Sequence, residues 1–322
     1  MNLYRGLIIL FSFLASVIYP GEFSAWASEY PSKFITLMIP YGAGGGTDLS
    51  TRSLAKAAGK YLGQPVICEN KPGGGGTIGP NLVLRSKPDG YTIGIITDSP
   101  IINYHMGELN FDPVAEPTRI IRWGGFLFGI VVRADSQAKT IQELVQQIKK
   151  SPQKLFYGSA GMGTPVHIAM EIFCSSAGIE LGHIPYKSAP ESCTALLGGH
   201  VDMISCDSSF IPLVDAGKLR LLATYGIQRA DHYPQVPTTK EIYDFSFLAS
   251  LGICGPKGMP QPIVKRLHDA FREGTNDQEF KAVMKKLDMD HLYLNSEDYG
   301  KYVIERSDEI GKLIRKMGLN KK

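Results

Sequence analysis

Small polar residues and glycines bunch at three places in this chain, and their order at each is one that holds anions. The first is Ile35-Thr-Leu-Met-Ile-Pro-Tyr-Gly-Ala-Gly-Gly-Gly-Thr-Asp48, where an apolar run breaks into four glycines within five residues. A helical pattern follows from Leu49. The order is strand, glycine loop, helix N-terminus. Glycine lets backbone N–H groups approach a ligand closely, and the helix end adds about half a positive charge. Together they make an anion site. The design recurs at 70–77 and at 158–165, where Thr164 is the expected N-cap and Pro165 the first helical residue. In open α/β sheets ligands bind at such loops, outside the carboxyl ends of the strands. Loops 41–48 and 158–165 are read as a two-sided anion clamp, and loop 70–77 as turn geometry.

The side chains around these loops carry further candidates. Asp48, in a first helical turn, suits the helix dipole but repels an anionic ligand. It reads as an acceptor that orders the loop N–H groups, with contact to a ligand ammonium or hydroxyl as the alternative. His167 is either a donor to a ligand carboxylate or a satisfied helix-end histidine. Lys187 is either a counter-charge or an exposed lysine. Ser159, His167 and Asp207 are the residue types of a hydrolytic triad, but Gly158-Ser159-Ala160-Gly161 lacks the residue that a nucleophile elbow places between its first glycine and serine. Gly42-Ala-Gly44 with Glu69 imitates a dinucleotide fingerprint, yet Thr47 stands at the last glycine. No Walker lysine, HExxH or His/Cys cluster occurs, so neither a metal nor a cofactor is expected.

Composition narrows the class. Arg5, an apolar run over 7–18 and Ala25-Trp26-Ala27 form a signal-peptide pattern, with cleavage expected after Ala27. The run is too short to span a bilayer, which argues against the alternative of a membrane anchor. The net charge is +3 and is unchanged by the loss of Arg5 and Glu22. With no long basic block, a nucleic-acid partner is excluded. The five cysteines show no CxxC or metal spacing. Buried free thiols are the preferred reading, and any single bridge falls among Cys174, Cys193 and Cys206.

The elements that must position these groups alternate. Strands are expected at 35–39, 66–68, 91–97, 126–133, 155–157, 201–205, 219–224 and 247–254. Helices follow the glycine loops at 41–48, 70–77 and 158–165, with a Thr140-x-x-Glu143 capping box, an Asn276/Glu279 capping pair and a long final helix carrying Tyr299, Val303, Ile310 and Ile314. Successive βα units imply an α/β fold with largely parallel strands and helices on both faces. Trp123, the remaining tryptophan after signal removal, falls near a predicted crossover and is expected to report closure.

The loops, in order, resemble a known family. Pro40-Tyr-Gly-Ala-Gly-Gly-Gly-Thr-Asp48, Gly63-Gln-Pro-Val66, Glu69-Asn-Lys-Pro-Gly-Gly74, Pro88-Asp-Gly-Tyr-Thr92, Tyr157-Gly-Ser-Ala-Gly161, Pro185-Tyr-Lys187, Gly217-Lys-Leu-Arg220 and Val236-Pro-Thr238 resemble the Bug family, periplasmic substrate-binding proteins of the tripartite tricarboxylate transporter type. The resemblance covers essentially all of 28–322. It implies a two-lobed type II periplasmic-binding-protein fold, with lobe 1 at 28–128 plus 247–322 and lobe 2 at 129–246. It also implies that a ligand carboxylate is held in the interlobe cleft by backbone N–H groups and waters. The residues so indicated are Tyr41, Ala43, Gly44, Gly45 and Asp48 in one loop and Ser159, Gly161, Gly163 and Thr164 in the other. Thr97, Asp98 and Ser99 would line the first-lobe wall, and His167, Tyr186 and Asp207 the second. The chain departs from the family at Tyr41, where Phe is usual, and at Ser188 and Tyr243, where Gly is usual.

The expectation is an exported, monomeric receptor that closes around a small carboxylate by hinge motion and delivers it to a membrane transporter. The alternatives are an orphan receptor signalling to a membrane sensor and an exported serine hydrolase.

Overall fold

Apolar runs become strands of two five-stranded sheets in the computed structural model, which describes residues 30–321. The expected signal peptide at 1–27 and its cleavage after Ala27 lie outside the described residues. The first sheet contains β1 (Ile35–Ile39), β2 (Val66–Asn70), β3 (Thr92–Ile96), β4 (Thr118–Gly125) and β10 (Ser250–Gly255), in the order β2-β1-β3-β10-β4. The second contains β5 (Gly129–Arg133), β6 (Phe156–Ser159), β7 (Gly182–Pro185), β8 (Met203–Cys206) and β9 (Leu219–Thr224), in the order β7-β6-β8-β5-β9. The helices are α1 (Gly46–Leu62), α2 (Ile78–Leu84), α3 (Ser99–His105), α4 (Ile141–Lys150), α5 (Pro165–Ala177), α6 (Ala189–Leu197), α7 (Ile211–Asp215), α8 (Thr239–Tyr243), α9 (Gln261–Gly274), α10 (Gln278–Lys286) and α11 (Ser296–Met317). None of these helices is long and apolar enough to cross a membrane.

Both sheets are mixed, which corrects the expectation of largely parallel strands. β1 runs parallel to β2 and β3, but β10 lies antiparallel between β3 and β4. In the second sheet β6 is parallel to β7 and β8, while β5 is antiparallel to β8 and β9. The reason is connectivity. The chain leaves the first sheet after β4, builds the second, and returns as β10, so two strands in each sheet are linked across the lobes rather than by a helical crossover.

Of the strand expected at 126–133 only Gly129–Arg133 forms, as β5; residues 126–128 link it to β4, a strand not expected, and the rings of Phe126 and Phe128 stack at 5.2 Å. Arg119 and Arg122 hide β4 from an apolar reading. Their guanidinium groups lie over Tyr299 and Tyr302 of α11, at 5.4 and 4.2 Å from the ring centroids, so the strand stays buried despite its charges. The Thr140/Glu143 capping box forms, as does the Thr164 cap with Pro165. The cap of α10 is Asp277, whose Oδ1 accepts from the N–H groups of Glu279 and Phe280, not Asn276. An aspartate one residue nearer the helix reaches both orphan donors. Trp123 is fully buried against Phe280, 5.7 Å between ring centroids, so it sits in the first-lobe core rather than at the cleft.

The final helix ties the returning chain to the first sheet. Arg306 of α11 donates from Nε to Asp98 Oδ2 (3.0 Å) and from Nη2 to the Leu248 carbonyl (2.6 Å). Ser250 Oγ donates to the other Asp98 oxygen at 3.0 Å. Asp98 is 1% exposed. Removing one partner of such a pair leaves an uncompensated charge in the interior. Asp98→Ala is therefore expected to cost about 3–5 kcal/mol of unfolding free energy, read by urea denaturation. A loss below 1 kcal/mol would show that the pair is not a buried staple.

Candidate functional site

Two jaws face each other, each a strand end, a glycine loop and a helix N-terminus. In the first, the chain leaves β1 through Tyr41, turns at Gly44 (φ 82°) and enters α1 at Gly46. No side chain at the N-cap, Gly45, satisfies the exposed amides. Asp48 does part of this work. Its Oδ2 accepts from the Gly44 N–H at 3.0 Å, and its Oδ1 takes Arg52 Nε and Asn70 Nδ2 at 2.9 and 2.8 Å. Asn70 also donates to the Tyr41 carbonyl at 2.9 Å. Asp48 thus sits inside its own loop, both oxygens engaged, while Ala43 and Gly44 are exposed at the rim. The Tyr41 hydroxyl is held by Ser99 Oγ (2.7 Å) and Thr97 Oγ1 (3.1 Å), and burial pushes its pKa up. Thr97 and Ser99 therefore meet Tyr41, whereas Asp98 between them pairs with Arg306.

In the second jaw, β6 ends at Ser159 and the loop turns through Gly161 (φ 129°) and Gly163 (φ 70°) into α5. Thr164 Oγ1 accepts from the His167 N–H and donates to the Gly161 carbonyl at 2.7 Å. The Gly163 N–H donates to His167 Nδ1 at 3.3 Å, which leaves the ring proton of the neutral imidazole on Nε2. His167 stacks on His183 (4.5 Å), which stacks in turn on Tyr157 (4.7 Å). Burial lowers His167 to about 3, with His183 adding to the effect, and lowers His183 to about 4. Both are neutral braces of the loop at physiological pH.

Ser159 pairs with His183, Oγ to Nε2 2.8 Å, not with His167. His183 Nδ1 is buried without a partner, so no carboxylate orients the ring as a triad requires. Tyr186 lays its ring against Gly158, and its N–H donates to the Ser159 carbonyl at 2.9 Å. Lys187 is exposed.

The jaws touch. Asp207, just after β8, accepts from the backbone and hydroxyl of Ser209 through Oδ1 and from the backbone of Gly46. A second-lobe carboxylate therefore rests on the N-terminus of α1. Burial raises its pKa, and it lines the cleft between the jaws. Asn103 of α3 donates from Nδ2 to the Gly163 carbonyl at 3.0 Å across the lobes. Ser188, the N-cap of α6, lies so close to Gly42 that a Cβ there would come within 2.8 Å. Gly75 meets the Met162 carbonyl, where a Cβ would fall at 2.0 Å. Loop 70–77, read as a turn, is thus also an interlobe contact.

The cleft enclosed by these contacts has a cavity of about 30 Å³, room for a water. Its lining adds Gly42, Thr47, Phe126, Phe128, Ala160, Pro165, Val166 and Ala189 to the site residues named from sequence, and includes no Lys or Arg. Phe126 and Phe128 were concealed because 126–133 reads as one continuous strand, whereas they lie in the link that precedes β5. Asn103 carries no sequence signal at all. Roomier hollows of about 970 and 670 Å³ are open surface grooves lined by neither jaw.

The histidine braces carry a pH signature. Unfolded, both take up protons near pH 6.5; folded, they resist until about 3–4. The unfolded chain then binds more protons across that window, so stability falls as pH drops from about 6.5 towards 4. The melting temperature is expected to decline over this range, and His183→Gln to flatten the decline. An unchanged slope in the variant would place the acid sensitivity elsewhere.

A family model described as the tripartite tricarboxylate transporter family receptor matches residues 50–319. The UPF0065 protein in the gbd 5' region of Cupriavidus necator is 41% identical over 298 residues, 92% of this chain and 91% of its own length. Protein BugT of Bordetella pertussis is 28% identical and covers 88% of each chain. Among solved structures, the periplasmic binding protein BugD superposes with a TM-score of 0.87 at 30% identity, over 91% of this chain and 100% of BugD. The match is to receptors rather than to enzymes. With a family model spanning most of its length and a full-length relative at 41% identity, the chain belongs to the tripartite tricarboxylate transporter receptor family, the Bug-type periplasmic solute-binding proteins.

Proposed function

We propose that this chain is a periplasmic receptor for a small carboxylate, which it encloses between lobe 1 (28–128 plus 247–322) and lobe 2 (129–246) and delivers to membrane subunits of a tripartite tricarboxylate-type transporter. The observation that carries the reading is the opposition of two glycine-loop helix ends, one from each lobe, across a cleft sealed by Asp207, Asn103, Ser188 and Gly75. Asp207 on the Gly46 amide is itself a carboxylate on the first helix end, the chemistry expected of the ligand. The ligand-binding set is the loop residues Tyr41, Ala43, Gly44, Gly45, Ser159, Gly161, Gly163 and Thr164, with Asp48, Asp98, Ser99, His167, Tyr186 and Asp207 around them.

A cavity of about 30 Å³ holds no dicarboxylate, so the ligand enters an opened cleft and the lobes close again around it. Closure is favoured only as far as the ligand contacts the closed state better than the open one. The stacked Phe126 and Phe128 give the cleft an apolar floor that suits the carbon body of an organic acid. Two proteins of the same fold from Rhodopseudomonas palustris, at 22% and 23% identity, were solved with malate and with adipate bound. They support a carboxylate as the class to test. The protein is expected to act as a monomer. Signalling to a membrane sensor is the second reading, and a transporter gene pair beside this one would favour transport.

A thermal-shift screen of mono-, di- and tricarboxylates and aromatic acids tests the reading. A ligand at about 100 times its dissociation constant adds about 2.7 kcal/mol of stability. The absence of a shift with any of these acids would overturn the carboxylate assignment. For the acid that does shift, Asn103→Ala removes an interlobe hydrogen bond worth about 1 kcal/mol and is expected to weaken binding by roughly fivefold in calorimetry. Unchanged affinity would show that this contact is not part of the closed, ligand-holding state.

A further inference from the structure

The five cysteines look unremarkable in sequence, but folding brings two of them together. Cys193 lies in α6 and Cys206 is the last residue of β8; they are 2% and 0% exposed. Their sulfurs are 3.6 Å apart, a contact the other three cysteines do not share, since Cys68, Cys174 and Cys254 lie on β2, α5 and β10. A disulfide needs about 2.05 Å, so closing it brings the sulfurs about 1.5 Å nearer. Both belong to the apolar cluster of the second lobe, with Val131, Leu196, Ile204 and Phe210 around them. The family places the protein in the periplasm, an oxidising compartment.

We propose that Cys193 and Cys206 are joined by a disulfide in the exported protein. The oxidant is an incoming disulfide, such as that of a dithiol oxidase or oxidised glutathione. One cysteine thiolate attacks it and releases a thiol. The second cysteine then attacks the mixed disulfide, releases the second thiol, and closes the Cys193–Cys206 bond. Two electrons and two protons pass from the cysteines to the oxidant, which leaves as two thiols. The bond closes while the chain is folding. In the packed state burial and the neighbouring Cys193 push the Cys206 thiol well up, which removes the thiolate that exchange requires.

The bridge ties α6 to the end of β8. Ala189 opens α6 and Asp207 follows β8, and both line the cleft. The cross-link therefore lies directly behind the second jaw and holds these two wall residues at a fixed separation, the kind of support that preorganises a site.

The test is to recover the full chain from the periplasm and unfold it in the presence of iodoacetamide. Three adducts are expected, the five cysteines less the two bridged, rising to five after reduction. Both cysteines fall in one tryptic peptide, 188–218, which has no internal Lys or Arg and should run about 2 Da light before reduction. Five adducts without reduction, or an unbridged mass for that peptide, would overturn the proposal. In a second measurement, a reductant should lower the melting temperature of the wild type by roughly 3–8 °C and leave the Cys193→Ser/Cys206→Ser variant unmoved. An equal response in both would also overturn it.

Discussion

A helix that begins in glycine has no side chain of its own to satisfy its first amide groups, and much of this molecule is organised around that constraint. Gly45 caps α1 without a side-chain hydrogen bond, so acceptors for the first amides must come from elsewhere. One comes from within the first lobe, through Asp48 on Gly44. Another comes from the second lobe, through Asp207 on Gly46. The first amides of this helix are therefore the place where the two lobes meet. Under the proposed function, binding and closure draw on one set of donors.

The second jaw solves the problem differently. Its helix has a side-chain cap in Thr164, and its loop is braced by His167, the end of the Tyr157–His183–His167 stack, and by Ser159, which pairs with His183. Neutral imidazoles suit this role, because a charged ring in that buried stack would meet the cost of desolvation and of its neighbour. The two jaws are therefore unlike, the second braced by its own side chains and the first by a partner from the other lobe.

The topology joins the two sheets at two places. Because β4 leads into β5 and β9 returns to β10, the chain crosses between the sheets twice, near Phe126–Phe128 and over 225–249. The long α11 braces the second crossing through Arg306, which reaches Asp98 and the Leu248 carbonyl at once. Elements far from the cleft in sequence thus set where its first wall stands.

Much of this was written in local sequence. Strand, glycine loop and helix end at 35–48 and 158–165 are read from residue types alone, because backbone conformation there depends on glycine, proline and threonine chemistry within a few positions. Asp48 as the organiser of its own loop follows from its place in the first turn. Other features were not legible. The strand at 118–125 is masked by two arginines that only the rings of Tyr299 and Tyr302 make compatible with burial. Asn103, the pairing of Ser159 with His183, and Gly75 against Met162 join residues 24 to 87 positions apart. The sheet order is likewise fixed by β10 arriving late in the chain. Sequence by itself determined what each jaw is made of, since that is a matter of short-range conformation. Tertiary structure alone decided what each jaw meets, including Asp207 on the first helix end and Cys193 beside Cys206, since such contacts exist only once distant segments pack.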